Sequence, residues 1–188
     1  NARLTRIAFG SCAHQDKPQP MWDRILECSP DLFVFMGDSI YGDGLDPAGL
    51  RDAYRELAAK PEFRRFRNKV PIVAIWDDHD YGENDCGEGF RWAKESKKIF
   101  FDFFDDPSAS ARRDRDGLQA AYTFGPAGST VHLILPDLRT HRKNLVIRDF
   151  RGATYEDWAA MFTDNGLPEP GPYDRQWRAG ASMMNEAQ

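Results

Sequence analysis

Three apolar runs of strand length punctuate the first half of the chain, and each ends in a cluster of small and polar residues. Residues 4–9 lead into Gly-Ser-Cys, residues 31–36, with LFVFM at their heart, lead into Gly-Asp-Ser, and residues 70–76, rich in β-branched side chains, lead into an acidic stretch. Short apolar runs bounded by turn residues predict buried strands. Between them, residues 21–27 and 47–60 read as helices, the second with Leu50, Tyr54, Leu57 and Ala58 at helical spacing. Pro61 is expected to break that pattern. Strand alternating with helix predicts a largely parallel α/β sheet, in which ligands gather beyond the carboxyl ends of the strands. The three polar clusters are therefore expected to converge on one edge.

Further along, residues 90–104 predict a helix with Trp92, Ile99 and Phe103 toward the core, ended by Asp105, Asp106 and Pro107. Residues 119–124 and 130–135, separated by a Gly-Pro-Ala-Gly loop, predict a hairpin. From Asp149 onward the pattern weakens into Gly, Pro and isolated aromatics, and no internal repeat is visible. The five tryptophans, Trp22, Trp76, Trp92, Trp158 and Trp177, are expected to serve packing.

At 188 residues the chain is long enough for one domain with a real core, spanning residues 1–188. A formal charge of −5 and a pI near 5.4 argue against a surface that tracks nucleic acid, while leaving room for a local basic patch such as Arg64, Arg65 and Arg67. No apolar run approaches the roughly 20 residues that span a bilayer, and no charged-then-apolar leader opens the chain. A soluble chain is expected, its export signal removed or never present. Cys12, Cys28 and Cys86 are too few, and odd in number, for a disulfide framework. With no CxxC pair, a zinc knuckle is not expected.

The densest chemistry lies in IWDDHDYGENDCG, where Asp77, Asp78, Asp80, Glu83 and Asp85 surround His79 directly after an apolar strand. Like charges about 4 Å apart repel by roughly 4 kcal/mol at an effective dielectric near 20, so such a crowd needs shared protons, cationic partners or a metal. A solvated acidic loop is the plainer alternative. An EF-hand fails on inspection. Counting from Asp77 puts Gly82 and Glu88 in register, but His79 and Tyr81 stand where Asp or Asn is required, and a strand precedes the loop. GDSIYGD adds Asp38 and Tyr41 after the second strand, as hard oxygen ligands or as a turn cap and a packed ring. FGSCAHQ adds Cys12 and His14 after the first.

Taken in order, FGSC, GDSIYGD, WDDHDYGEND and LPDLRTHR resemble the motifs of the alkaline phosphatase D (PhoD-like) group of the metallophosphoesterase superfamily. The resemblance implies metal-dependent hydrolysis of phosphomonoesters or phosphodiesters. It implies that Asp38 bridges two metals, that Tyr41 and Cys12 are ligands of a ferric iron, and that Asp78 binds the second metal, calcium in this group, with another divalent ion allowed. His79 is expected to contact the phosphoryl group and to assist leaving-group protonation. Arg139, in LPDLRTHR, is expected either to clamp a phosphate oxygen pair or to hold the strand end by an ion pair. Asp77 and Asp80 are expected to orient His79 or the ligands, Asn84 and Asp85 to be ligands or loop caps, and Cys86 to be structural.

The group's fold is an α/β/β/α sandwich that continues past this length to a later G-D-x-H motif. Ending at Gln188, the chain is expected to lack the C-terminal half of that sandwich, whose missing segment or a dimer partner would cover an apolar sheet face. A secreted or periplasmic location follows by the same resemblance. The alternative function is a non-catalytic metal-binding or interaction module built on that fold.

Overall fold

A computed structural model describes residues 3–143 together with residues 160, 163, 164 and 166. Trp158 and Trp177, and the patternless region after Asp149 apart from those four positions, lie outside the described residues. Three strands, β1 (Ile7–Gly10), β2 (Leu32–Met36) and β3 (Ile72–Ile75), pair in parallel in the order β1-β2-β3. In that register Phe9 lies beside Val34 and Met36 beside Ile75. All three carboxyl ends consequently point to one edge, as the alternation of strand and helix predicts.

The connections are helical. Helix α1 (Met21–Glu27) links β1 to β2, and α2 (Pro47–Ala59) with α3 (Pro61–Arg67) links β2 to β3. Asp46 caps α2, its carboxylate accepting from the backbone N–H groups of Ala48 and Gly49 at 3.0 and 2.9 Å. Helix α3 departs from the expectation that Pro61 simply ends the helical segment. Lys60 alone adopts an extended conformation between the two helices, and Pro61 opens the next one. Proline suits a first helical position because its missing N–H has no intrahelical partner there and its φ is already helical. Burial of Phe63 and Phe66, three residues apart, then holds α3 on the sheet.

The core is aromatic. Because strand side chains alternate, Phe33 and Phe35 share one face of β2. Trp22 of α1 packs on both, at ring-centroid distances of 5.4 and 5.8 Å, and Phe66 of α3 meets Phe33 at 5.3 Å. The opposite face leaves Phe9 and Met36 exposed.

A single-turn helix, α4 (Asp78–Tyr81), follows β3, so the acidic stretch is a helical turn at its start and not a plain loop. Helix α5 (Ala93–Phe103) begins three residues later than the periodicity suggests, with Trp92 at its N-cap. Ser96, Ile99, Phe100 and Phe101 are its buried residues, while Phe103, half-buried, packs tilted against Tyr54 at 4.4 Å. Strands β4 (Ala120–Phe124) and β5 (Val131–Leu135) form the expected antiparallel hairpin as a separate two-stranded sheet. Among the described residues no helix is long and apolar enough to cross a membrane.

Candidate metal centre

The site is built where β1, β2 and β3 end. Just past β1, Cys12 takes a left-handed backbone conformation (φ 61°) and donates its N–H to the Gly37 carbonyl at 3.3 Å, while the Ala13 N–H reaches the Asp38 carbonyl at 2.9 Å. Asp38 is left-handed too (φ 51°). Non-glycine residues in this region are uncommon and cluster where surrounding structure over-determines them. Gly37, at φ 97°, separates strand from site, and a Cβ there would lie 2.4 Å from the Asp77 Cβ. The two strand ends thus approach as closely as a missing side chain allows.

This approach brings Asp38, Asp78 and His79 together, with one donor atom from each lying within 4.8 Å of the others. Both carboxylates are buried. Burial, and then the charges of Asp77 and Asp78, push the Asp38 carboxyl above its ordinary range. Asp38 Oδ1 is buried and, among the described residues, has no hydrogen-bond partner. A buried carboxylate oxygen left unpaired among like charges is costly in a protein interior, and a cation removes that cost. The donor set of carboxylates and imidazole suits a hard or borderline metal ion.

Cys12 joins the group through Asp38, its Sγ lying 3.5 Å from Asp38 Oδ2. Tyr41 lies beside Cys12. Its ring is stacked between His14 at 4.6 Å and His79 at 4.2 Å, and its backbone is clamped by the buried amide of Gln15. Gln15 Oε1 accepts from the Tyr41 N–H at 2.8 Å, and Gln15 Nε2 donates to the Tyr41 carbonyl at 3.0 Å. Burial, followed by a hydrogen bond with Cys12, raises the Tyr41 phenol above its ordinary value, so its ionisation calls for a cation nearby.

Both Asp43 oxygens lie 2.8 Å from His79 Nδ1, which leaves Nε2 as the ring's free nitrogen for a ligand or substrate. Burial lowers the His79 pKa, but the hydrogen bond and charge of Asp43 outweigh it and the net shift is upward. Asp80, fully buried, accepts from the Ser39 N–H at 3.0 Å, the Ser39 hydroxyl at 2.9 Å and the Asp77 N–H at 2.6 Å. Burial nevertheless pushes its carboxyl up to about 8. Asp78 Oδ2 accepts from the Asp85 N–H at 2.6 Å. Cys86 is a buried thiol whose Sγ accepts from the Glu83 N–H at 3.1 Å.

Arg139 reaches the same centre from beyond β5. Its buried guanidinium is bonded through Nε to the Asp77 carboxylate, and Nη2 stands 3.7 Å from Asp78 Oδ1. Among the described residues Nη1 has no hydrogen-bond partner. Asp137 folds this segment, accepting from Leu118 N–H, Arg139 N–H, Thr140 N–H and the Thr140 hydroxyl at 2.7–2.9 Å. Cys12, Asp38, Tyr41, Asp78, His79 and Arg139 therefore all meet at one sheet edge. Asp43 and Gln15 belong there as well, and sequence reasoning missed both. Asp43 is visible as the last residue of GDSIYGD, but nothing in the linear pattern pairs it with His79. Gln15 is the last residue of FGSCAHQ, but nothing in the linear pattern pairs it with Tyr41.

A solved structure of PhoD superposes on the chain with a TM-score of 0.59 over 77% of its length, at 16% sequence identity. The chain has a PhoD-like fold. The mixed α/β architecture with its parallel sheet is shared with PhoD, and the chain spans about a third (33%) of the length of that structure. No protein-family model matches the chain, and no curated protein matches it.

Proposed function

We propose that the chain carries the metal-binding part of a phosphoester hydrolase acting on phosphomonoesters or phosphodiesters. One observation carries the reading: Asp38, Asp78 and His79 converge within 4.8 Å at the carboxyl ends of adjacent parallel strands, with Asp38 Oδ1 buried and unpartnered, in a PhoD-like fold. Asp38 touches Cys12 at 3.5 Å and is grouped with Asp78 and His79, while the Tyr41 ring stacks on His79. That arrangement suits a carboxylate shared by two cations. Following the motif resemblance, Cys12, Tyr41 and Asp38 would hold a ferric ion, and Asp38 and Asp78 a calcium or other divalent ion.

When bound, the cations supply Lewis acidity toward phosphoryl oxygens and lower the pKa of a nearby water. The residues of the chain do the rest. Asp43 fixes the His79 ring through Nδ1, so Nε2 is directed to a phosphoryl oxygen or to the proton of the departing alcohol. Arg139 holds Asp77 and Asp78 in place, and its unpartnered Nη1 is a further donor beside the transferring group. No covalent protein nucleophile is needed, because the loose phosphoryl transition state is stabilised mainly by positioned positive charge.

The test is metal analysis of the purified protein together with its visible spectrum and the hydrolysis of bis(p-nitrophenyl) phosphate. Bound iron with a broad tyrosinate-to-iron absorption is expected, and Tyr41→Phe should abolish the band. Absence of metal uptake together with absence of hydrolysis overturns the reading. Metal uptake and the band without hydrolysis would instead favour the non-catalytic metal-binding module.

A further inference from the structure

Beside the metal centre, between its Cys12 and Tyr41 wall and the start of α1, lies a cavity of about 240 Å³. His14, Lys17 and Met21 complete its lining together with the loop residues Ala13, Pro18 and Gln19. Its walls are built from fixed parts. The buried amide of Gln19 donates to the His14 carbonyl at 2.9 Å and accepts from Trp22 Nε1 at 2.6 Å, tying the loop to the core. The Lys17 carbonyl accepts from Lys60 Nζ at 2.8 Å, and the Lys17 N–H donates to the His14 carbonyl at 3.1 Å. The cavity is therefore not a gap between loose side chains.

The chemistry of the lining is uneven. Met21 and the His14 ring offer soft, apolar surface, and Asp16 is the acid beside His14, at 3.8 Å. The Lys17 side chain is exposed and, among the described residues, makes no hydrogen bond or ion pair through its ammonium group. A volume at the small end for ligand pockets excludes large substituents and suits a group of a few carbons.

We propose that this cavity receives the organic group of a phosphate ester whose phosphoryl group sits at Asp38 and Asp78, and that Lys17 selects for an organic group ending in an anion. The inference rests on the phosphoester reading of the neighbouring site. It narrows the substrate class to esters of small, acid-bearing alcohols.

Calorimetric titration of the metal-loaded protein with two non-hydrolysable probes, methylphosphonate and 2-carboxyethylphosphonate, separates the two ideas. The carboxyethyl probe is expected to bind more tightly. Lys17→Ala should weaken it by about three- to fivefold, as for a partly exposed ion pair, while leaving methylphosphonate unchanged. Lys17→Arg should keep the preference. Met21→Trp, an exposed position where folding is checked by circular dichroism, should fill the cavity and exclude the longer probe alone. Equal binding of both probes to the wild type, or equal losses for both in the variants, overturns the cavity proposal and leaves the phosphoester reading standing. If neither phosphonate binds and no phosphodiester is hydrolysed, the phosphoester reading fails and the cavity proposal falls with it.

Discussion

Asp38 is asked to do two incompatible things, and the conflict is measurable. Its carboxyl is buried near Asp77 and Asp78, which raises its pKa, and one oxygen has no partner. Without a cation the residue is a liability; with one it is a ligand. Asp38→Asn should therefore raise the Tm of the metal-free protein, by an amount corresponding to about 1–2 kcal/mol once the like-charge repulsion is relieved. It should also erase the Tm increase that added metal produces in the wild type, since a ligand that binds only the folded state stabilises it. Thermal melts in chelator and in metal check both signs, and an Asn variant that is less stable in chelator would remove the strain argument. Asp43 presents a gentler case. Asp43→Asn keeps a hydrogen-bond acceptor for His79 Nδ1 but deletes the charge, so the His79 pKa in the metal-free protein should fall in an NMR titration. The hydrolysis rate should drop by roughly tenfold or more without loss of fold. The residues in strand-end motifs were legible because a parallel sheet delivers strand ends to one place. Asp43 and Gln15 were not, because their partners lie 36 and 26 positions away and only the folded loops bring them together.

At the level of elements, the site depends on how closely β2 and β3 end. Gly37 has a positive φ and no room for a Cβ beside Asp77, so Gly37→Ala must both strain the backbone and push Asp77 away from Arg139. The expected cost is about 2–4 kcal/mol, at the upper end for a single substitution because two penalties act together. Chemical denaturation measures it, and a loss under about 0.5 kcal/mol would show that the strand ends can separate freely. Apolar runs and helical spacing made β1, β2, β3, α1, α2 and the hairpin readable, most completely β2, which is buried from Leu32 to Phe35. Helix α3 escaped because Pro61 carries two meanings, a stop for the helix behind it and a start for the helix ahead. Only the packing of Phe63 and Phe66 against the sheet decides between them. Helix α4 escaped for a different reason: its four residues are too few for a period to show.

At the scale of the whole molecule, distant segments are fastened by carboxylates whose pKa values the fold depresses. Asp31, just before β2, accepts from the Thr5 N–H at 2.7 Å, the Thr5 hydroxyl at 2.8 Å and the Arg6 N–H at 2.9 Å, and these bonds lower its pKa. Asp23 of α1 is lowered by its hydrogen bonds from Arg65 of α3. Asp102 of α5 is lowered chiefly by Lys98 and then by Arg113 from the segment that leads to β4. For each, the folded pKa lies below the unfolded value of about 3.9, so the stabilisation is fully present above that value and is lost as pH falls through the folded pKa. The three together predict that the stability these fastenings contribute falls away below about pH 4. Asp31→Ala isolates one fastening far from the metal centre. Its Tm should lie below that of the wild type at pH 7, and the gap should narrow as pH drops below about 4, because the protonated wild-type carboxyl no longer carries the charge that strengthens those bonds. A gap that stays constant between pH 7 and pH 3 would mean that Asp31 acts through shape alone, and the start of the sheet would then owe nothing to the carboxylate's charge.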